Sequence, residues 1–198
     1  MRQVTTLIQV ENPEMIKRLS IITCVLLFCQ TIAIGKTSQE KRLEFTLPSA
    51  PWTLTMPDDN FELGEKQMKP DGSGVYFHLA DEKQSINLSM YIEPVKDCKD
   101  SKSCRDMVWK AGNPAWVNPK NVVQSQIGYV SIFEFLIPSF QGQPIRQQNM
   151  YAEFVVDGFW VDMHISKILY QPEEHQLFER IIKSIKFEPK KNPNPASS

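Results

Sequence analysis

The sequence predicts an α+β sandwich, a mostly antiparallel β-sheet packed with a few helices. Three observations predict it. Short runs that alternate apolar and polar side chains recur between Leu43 and Leu169. Clusters rich in Pro, Gly, Asp and Asn separate them. Two segments, around Cys104–Ala111 and Pro172–Lys186, carry apolar residues at helical spacing instead. Strands, a helix, more strands and a closing helix argue for segregated layers rather than alternating βαβ units.

The N-terminal segment is expected to lie outside this domain. Lys17 and Arg18 precede an almost wholly apolar run, Leu19 to Ile34, which ends in Ala33-Ile34-Gly35. A positive n-region, an apolar h-region and small residues before a cleavage point form a secretory signal peptide, cleaved after Gly35. The run falls short of the ~20 apolar residues that span a bilayer comfortably. Residues before Met15 include Arg2, Glu11 and Glu14 and fit no part of a signal, so Met15 is expected to be the true start. Lipid attachment is disfavoured, because Cys29 follows bulky Phe28 and Cys24 follows Thr23. Residues 36–41 read as a linker, 42–188 as the domain and 189–198 as a disordered tail.

Within the domain, "LEFTL" (Leu43–Leu47) and "WTLTM" (Trp52–Met56) are strands joined by a Pro-bounded turn. Phe61–Lys69 is a more polar strand. Pro70-Asp71-Gly72-Ser73-Gly74 turns the chain into Val75–Asp81 and Ser85–Glu93. Ser103 can cap a helix from Cys104, which Gly112-Asn113-Pro114 ends. Trp116 follows in a Pro-bounded loop. Strands resume at Asn121–Ile127, Tyr129–Ile137 and Arg146–Val156, with "PSFQGQP" a loop between the last two. Asp157-Gly158 is a two-residue hairpin turn into Phe159–Leu169. The last helix opens at Pro172 with Glu173 and Glu174, and buries Leu177, Phe178, Ile181, Ile182 and Ile185.

Two cysteines remain after processing, Cys98 and Cys104. In an oxidising compartment they are expected to form a disulfide. Six residues of continuous helix rise ~9 Å, beyond the ~7 Å that a disulfide bridges between Cα atoms. The bridge therefore requires a non-helical turn over residues 97–103. Neither CxxC spacing nor a nearby His supports a redox or zinc role.

"FTLPSAPWTLTMP" at the start of the domain resembles the opening of PsbP-like domains. "LFERIIKSIKF" at its end is similar to the close of those domains and of the bacterial DcrB family. The resemblance covers mainly these two ends. It implies an α/β sandwich used for binding other proteins, with no catalytic residues to carry over.

The stretch that raises a chemical question is "GFWVDMHISK". With Asp157-Gly158 as the turn, one hairpin face carries Met150, Ala152, Phe154, Val161, Met163 and Ile165 and is buried. The other opposes Glu153 to Asp162, Tyr151 to His164 and Asn149 to Ser166. Asp162, His164 and Ser166 thus share a face, but as same-strand neighbours ~6.6 Å apart. A Ser–His–Asp relay needs side chains in hydrogen-bond contact, usually from different segments. A cation on Glu153, Asp162 and His164, completed by Glu134, is better motivated because opposed carboxylates repel. The preferred expectation is a solvated polar face on which Lys167 or Arg146 relieves that repulsion. Trp109 is expected in the core. His78 and His175 are expected to be ordinary strand and helix-surface residues, and the Asn87-Leu88-Ser89 sequon to be a chance match.

Removing residues 1–35 takes Arg2, Lys17, Arg18, Glu11 and Glu14, moving the formal charge from −1 to −2. That balance gives no nucleic-acid footprint and no charge-driven membrane contact beyond the export signal. The expectation is a periplasmic or secreted, non-enzymatic protein-binding or accessory domain with no cofactor. Its candidate surfaces are the Trp116 loop and the hairpin residues Tyr151, Glu153, Trp160, Asp162 and His164. Alternatives are a metal-binding protein or hydrolase centred on Glu153, Asp162 and His164, an immunity-type inhibitor of a toxic enzyme, and a structural envelope component.

Overall fold

A computed structural model describes residues 41–112 and 118–190. The expected signal peptide, Met15 start, residues 36–40, Trp116 and residues 191–198 lie outside the described residues. The described chain is an α+β sandwich with two sheets. Strands β1 (Arg42–Phe45), β2 (Trp52–Pro57) and β10 (Lys186–Pro189) form a three-stranded sheet in the order β1-β2-β10. The larger sheet contains β3 (Glu62–Met68), β4 (Val75–Asp81), β5 (Ile86–Pro94), β6 (Lys120–Ile127), β7 (Val130–Phe140), β8 (Gln143–Val156) and β9 (Phe159–Lys167). Its order is β3-β4-β5-β9-β8-β7-β6, and every pairing is antiparallel.

The chain does not leave the fold after residue 188. Pro189 still pairs with Trp52, and the Lys190 backbone N–H donates to Pro51 O at 2.9 Å. The Lys190 ammonium also donates to Leu47 O and Pro48 O, which pins the β1–β2 turn. The "PSFQGQP" segment, expected to be a loop, is mostly strand. Gln141 and Gly142, at φ 50° and 79°, make a two-residue turn between paired Phe140 and Gln143.

The core lies between the inner face of the large sheet and a layer made of the small sheet and helix α2 (His175–Ser184). Alternation supplies it directly. Ile86, Leu88, Met90 and Ile92 of β5 are at most 1 % exposed, as are Val161, Met163 and Ile165 of β9. Phe178, Ile181 and Ile182 project from α2 at helical spacing into the same cluster. Aromatic contacts tie the layers together, with Phe45 on Phe77 at 5.0 Å, Trp52 on Phe159 at 6.0 Å and Phe187 on Phe154 at 5.7 Å. A 3-10 turn, Pro172–Glu174, precedes α2.

Helix α1 (Ser101–Gly112) packs on the opposite, outer face against β7 and β8. It starts three residues earlier than its apolar stripe suggests. Asp100 rather than Ser103 caps it, its carboxylate accepting from the Ser103 N–H at 2.7 Å. The Cys98–Cys104 disulfide forms with Cα atoms 4.9 Å apart. Cys98 lies before the helix and Cys104 in its first turn, so the bridge avoids the continuous helix that would separate them. The Val155 N–H donates to Ser101 Oγ at 3.1 Å and fixes this end of α1 to β8. Trp109 lies against Phe133 and Phe135 on this outer face, at 5.2 and 6.0 Å.

Phe178 is fully buried where α2 meets the sheet. Phe178→Ala is expected to cost about 3–5 kcal/mol in urea unfolding, whereas Val123→Ala on the exposed edge strand β6 should cost less than about 0.5 kcal/mol.

Candidate functional site

The β8–β9 hairpin carries the chemically suggestive residues, and its turn fixes where they go. Asp157 and Gly158 take φ of 50° and 79°, the left-handed pair that a type I′ hairpin requires. The register is then forced. Val156 faces Phe159, Glu153 faces Asp162, Tyr151 faces His164 and Asn149 faces Ser166. All of these pairings match the sequence reading.

The environment of that face does not. Glu153 is 0 % exposed, and Glu153 Oε1 and Asp162 Oδ1 are buried with no hydrogen-bond partner among the described residues. The expected solvated face is therefore corrected at Glu153, which is sealed, while Tyr151, Trp160, Asp162 and His164 stay partly exposed. Lys167 and Arg146 do not relieve the pair. The Lys167 ammonium reaches Gln84 O and Glu174, and Arg146 is an exposed residue. Trp160 is the partner the structure supplies, its Nε1–H donating to Glu153 Oε2 at 2.6 Å.

The cover is a stack of rings. Tyr151 lies on His164 at 4.2 Å and on Phe133 at 4.5 Å, with planes within 13° of parallel. Phe135 and Trp109 continue it, so the stack runs from β9 across β8 and β7 to α1. The sequence signal for this cover was present in β7. Ile132, Phe133, Phe135 and Leu136 place apolar side chains on both faces of one strand, which requires burial on both.

Burial sets the proton affinities. Desolvation, then the charge of Asp162, pushes Glu153 well above the usual carboxylate range. Desolvation also raises Asp162 to about 6, with Glu93 adding to the shift. His164 is lowered by burial to about 4 and is neutral near pH 7. Its Nε2–H donates to Asn149 Oδ1 at 3.0 Å. Tyr151 is raised to about 12 by burial and by both carboxylates. Near neutral pH the imidazole and the phenol are thus neutral, and burial favours the protonated form of Glu153.

Such a cluster is poorly suited to hydrolysis. His164 bonds to Asn149 rather than to Asp162 or Ser166, so the relay geometry is not assembled. The cation reading loses Glu134, its fourth ligand. Glu134 pairs with Met150 and so lies on the opposite, inner face, where it meets Gln148 and His175. No group of three His, Cys, Asp or Glu converges as a ligand set among the described residues. His175 is accordingly half-buried beside Glu134 rather than free on the helix surface.

No protein-family model matches the chain, and no curated protein matches it either. Solved structures similar to it include cyanobacterial PsbP from Synechocystis sp. PCC 6803. That match has 12 % identity and a TM-score of 0.48, and covers 77 % of this chain and 95 % of that one. They also include the Ran-binding protein Mog1p of Saccharomyces cerevisiae, at 11 % identity and a TM-score of 0.43, covering 74 % of this chain and 95 % of that one. PsbP, the family that the two ends of the domain resemble, is thus among the solved structures the chain matches.

The pKa shifts predict two opposed pH slopes. His164 is protonated in the unfolded chain below its ordinary value and neutral in the fold, so stability rises from about pH 4 to 6.5. Asp162 keeps its proton longer in the fold, so stability falls as pH rises from its ordinary value to about 6. Each contributes on the order of 3 kcal/mol. Glu153, whose proton affinity is also raised, adds to the falling slope, so the pH slope of the urea midpoint between pH 4 and 6.5 should be more positive than wild type in Asp162→Asn and more negative in His164→Gln. Wild-type pH slopes in both variants would refute the assignment.

Proposed function

We propose that this chain is a non-enzymatic binding or accessory domain, exported to the periplasm or the cell exterior. It engages a protein partner through the open half of the outer sheet face. The signal-like segment and the Cys98–Cys104 disulfide support the compartment, since such bridges persist where the environment is oxidising. Chemical inertness of the buried hairpin cluster supports a binding role over an enzymatic one.

One observation carries the choice of surface. Tyr91, in the middle of β5, is 46 % exposed, and its ring leans on Tyr76 of β4 at 4.7 Å. Among the described residues helix α1 covers β7 and β8, while Asn87 and Tyr91 on β5 stay exposed. The same face continues through Ser89 and Glu93 to Trp160, Asp162 and His164, all partly exposed. Of the hairpin residues expected to touch a partner, Glu153 is sealed and withdrawn from that role. The proposed surface is accordingly centred about two strands further out, on the tyrosine pair.

Two adjacent tyrosines supply amphipathic contact area at low entropic cost, as interface hot spots do. Glu65 and Glu93 lie on the same face, with Glu93 held by Lys69. Aromatics flanked by acids fit a partner that presents apolar and basic groups.

Crosslinking mass spectrometry of the processed chain in periplasmic extract tests this. Partner crosslinks are expected on Lys69, with the affinity of the recovered partner falling about thirtyfold in Tyr76→Ala/Tyr91→Ala. Crosslinks confined to Lys120 or Lys190, or a partner indifferent to the double substitution, would contradict the proposal.

A further inference from the structure

A cavity of about 520 Å³ is lined by residues of both sheets, of α2 and of the turn before β3. Phe61, Ile86 and Ile181 form its floor and are at most 5 % exposed, and Leu177 extends the apolar surface. Arg42, Arg180 and Lys186 line it, and Asp59 is the lining carboxylate. Its size falls within the range of small-molecule sites, and such sites combine an apolar body with a few placed polar groups. From this arrangement we infer that the cavity binds a small amphipathic anion, an aliphatic carboxylate whose chain lies on Phe61, Ile86, Leu177 and Ile181 and whose head group meets Arg180 and Lys186.

The charges are arranged for a ligand rather than for each other. Neither Arg180 nor Lys186 has an ion-pair partner among the described residues, although α2 offers Glu179 beside them, which Lys183 takes instead. Arg42 is anchored in the wall, donating to Thr55 Oγ1 at 3.1 Å and to Ser184 O at 2.9 Å. Arg180 and Lys186, with Asp59 as the lining carboxylate, suit a single negative charge. The apolar floor is equally specific, since a purely inorganic anion would leave it wet.

The lip is a tight turn of the kind Asp and Asn adopt readily. Asp59 and Asn60 take φ of 35° and 68°, and the Phe61 N–H closes this turn on Asp58 O at 2.7 Å. The turn brings Phe61 into the floor.

The test is a two-dimensional amide NMR titration of the processed chain with sodium decanoate below its micellar concentration. Decyltrimethylammonium and sodium acetate serve as probes with the wrong charge and without the chain. Decanoate is expected to shift the amides of residues 59–61, 84–86 and 177–184, with neither other probe doing so. Arg180→Glu/Lys186→Glu should weaken decanoate by about tenfold while the remaining amides keep their positions. Decanoate shifts centred on Tyr91, equal binding of the cationic probe, or unchanged affinity in the charge-reversed variant would each overturn the inference. The Tyr76→Ala/Tyr91→Ala variant should bind decanoate normally, which separates this site from the partner surface.

Discussion

The register of the β8–β9 hairpin is the constraint on which the rest of the molecule depends. A left-handed Asp157-Gly158 turn admits one pairing, and a slip by one residue would exchange the two faces. That pairing sends Ala152, Phe154, Val161 and Met163 into the core between the two sheets. It leaves no freedom for the alternate positions. Glu153 must stand opposite Asp162, and Tyr151 opposite His164. Because β8 and β9 lie inside a seven-stranded sheet, the pair cannot escape to an edge.

The outer face responds to this by neutralising charge. Like carboxylates directly opposed in a dry place resist ionising together, and burial favours a retained proton on Glu153. The Trp160 N–H stabilises Glu153, the flat rings of Tyr151, Phe133 and Phe135 exclude water, and α1 adds Trp109. The disulfide and the Ser101–Val155 hydrogen bond hold the start of α1 where it can provide that cover. A cluster that looks catalytic when written as a string assembles no hydrolase relay, because His164 bonds to Asn149. Open surface is found on the tyrosine-bearing half of the sheet and in the cationic crevice beneath α2.

How much of this was legible depends on how local each signal is. The hairpin pairing, both faces of β8 and β9, the buried stripe of α2 and the disulfide all follow from spacing within a few residues, and the structure reproduces them. Strand β10 escaped notice because "KFEP" has Phe187 as its one large apolar side chain and ends on Pro189, so it carries no alternation beyond the close of the last helix. Glu134 was placed on the wrong face for a different reason. Its face depends on the register of β7 against β8, which a Gln141-Gly142 turn and an irregularity between Ile137 and Ser139 decide. Reading Pro138–Pro144 as a loop hid both. Burial of Glu153 depended on where a distant helix lands, which no local pattern specifies, although the two-sided apolarity of β7 showed that something must land there. The cavity under α2 was invisible in the sequence, since its lining comes from β1, β2, β5, α2, β10 and the turn before β3.

The central claim is that the opposed carboxylates form an inert pair that shares a charge, not a reactive or metal-binding site. Infrared difference spectroscopy at neutral pH, comparing wild type with Glu153→Gln, reads this most directly. The account predicts a carboxylic-acid C=O band in the wild type that is insensitive to added divalent cations and absent from the variant. A wild-type spectrum with carboxylate bands alone, or an acid band that collapses when a divalent cation is added, would contradict it.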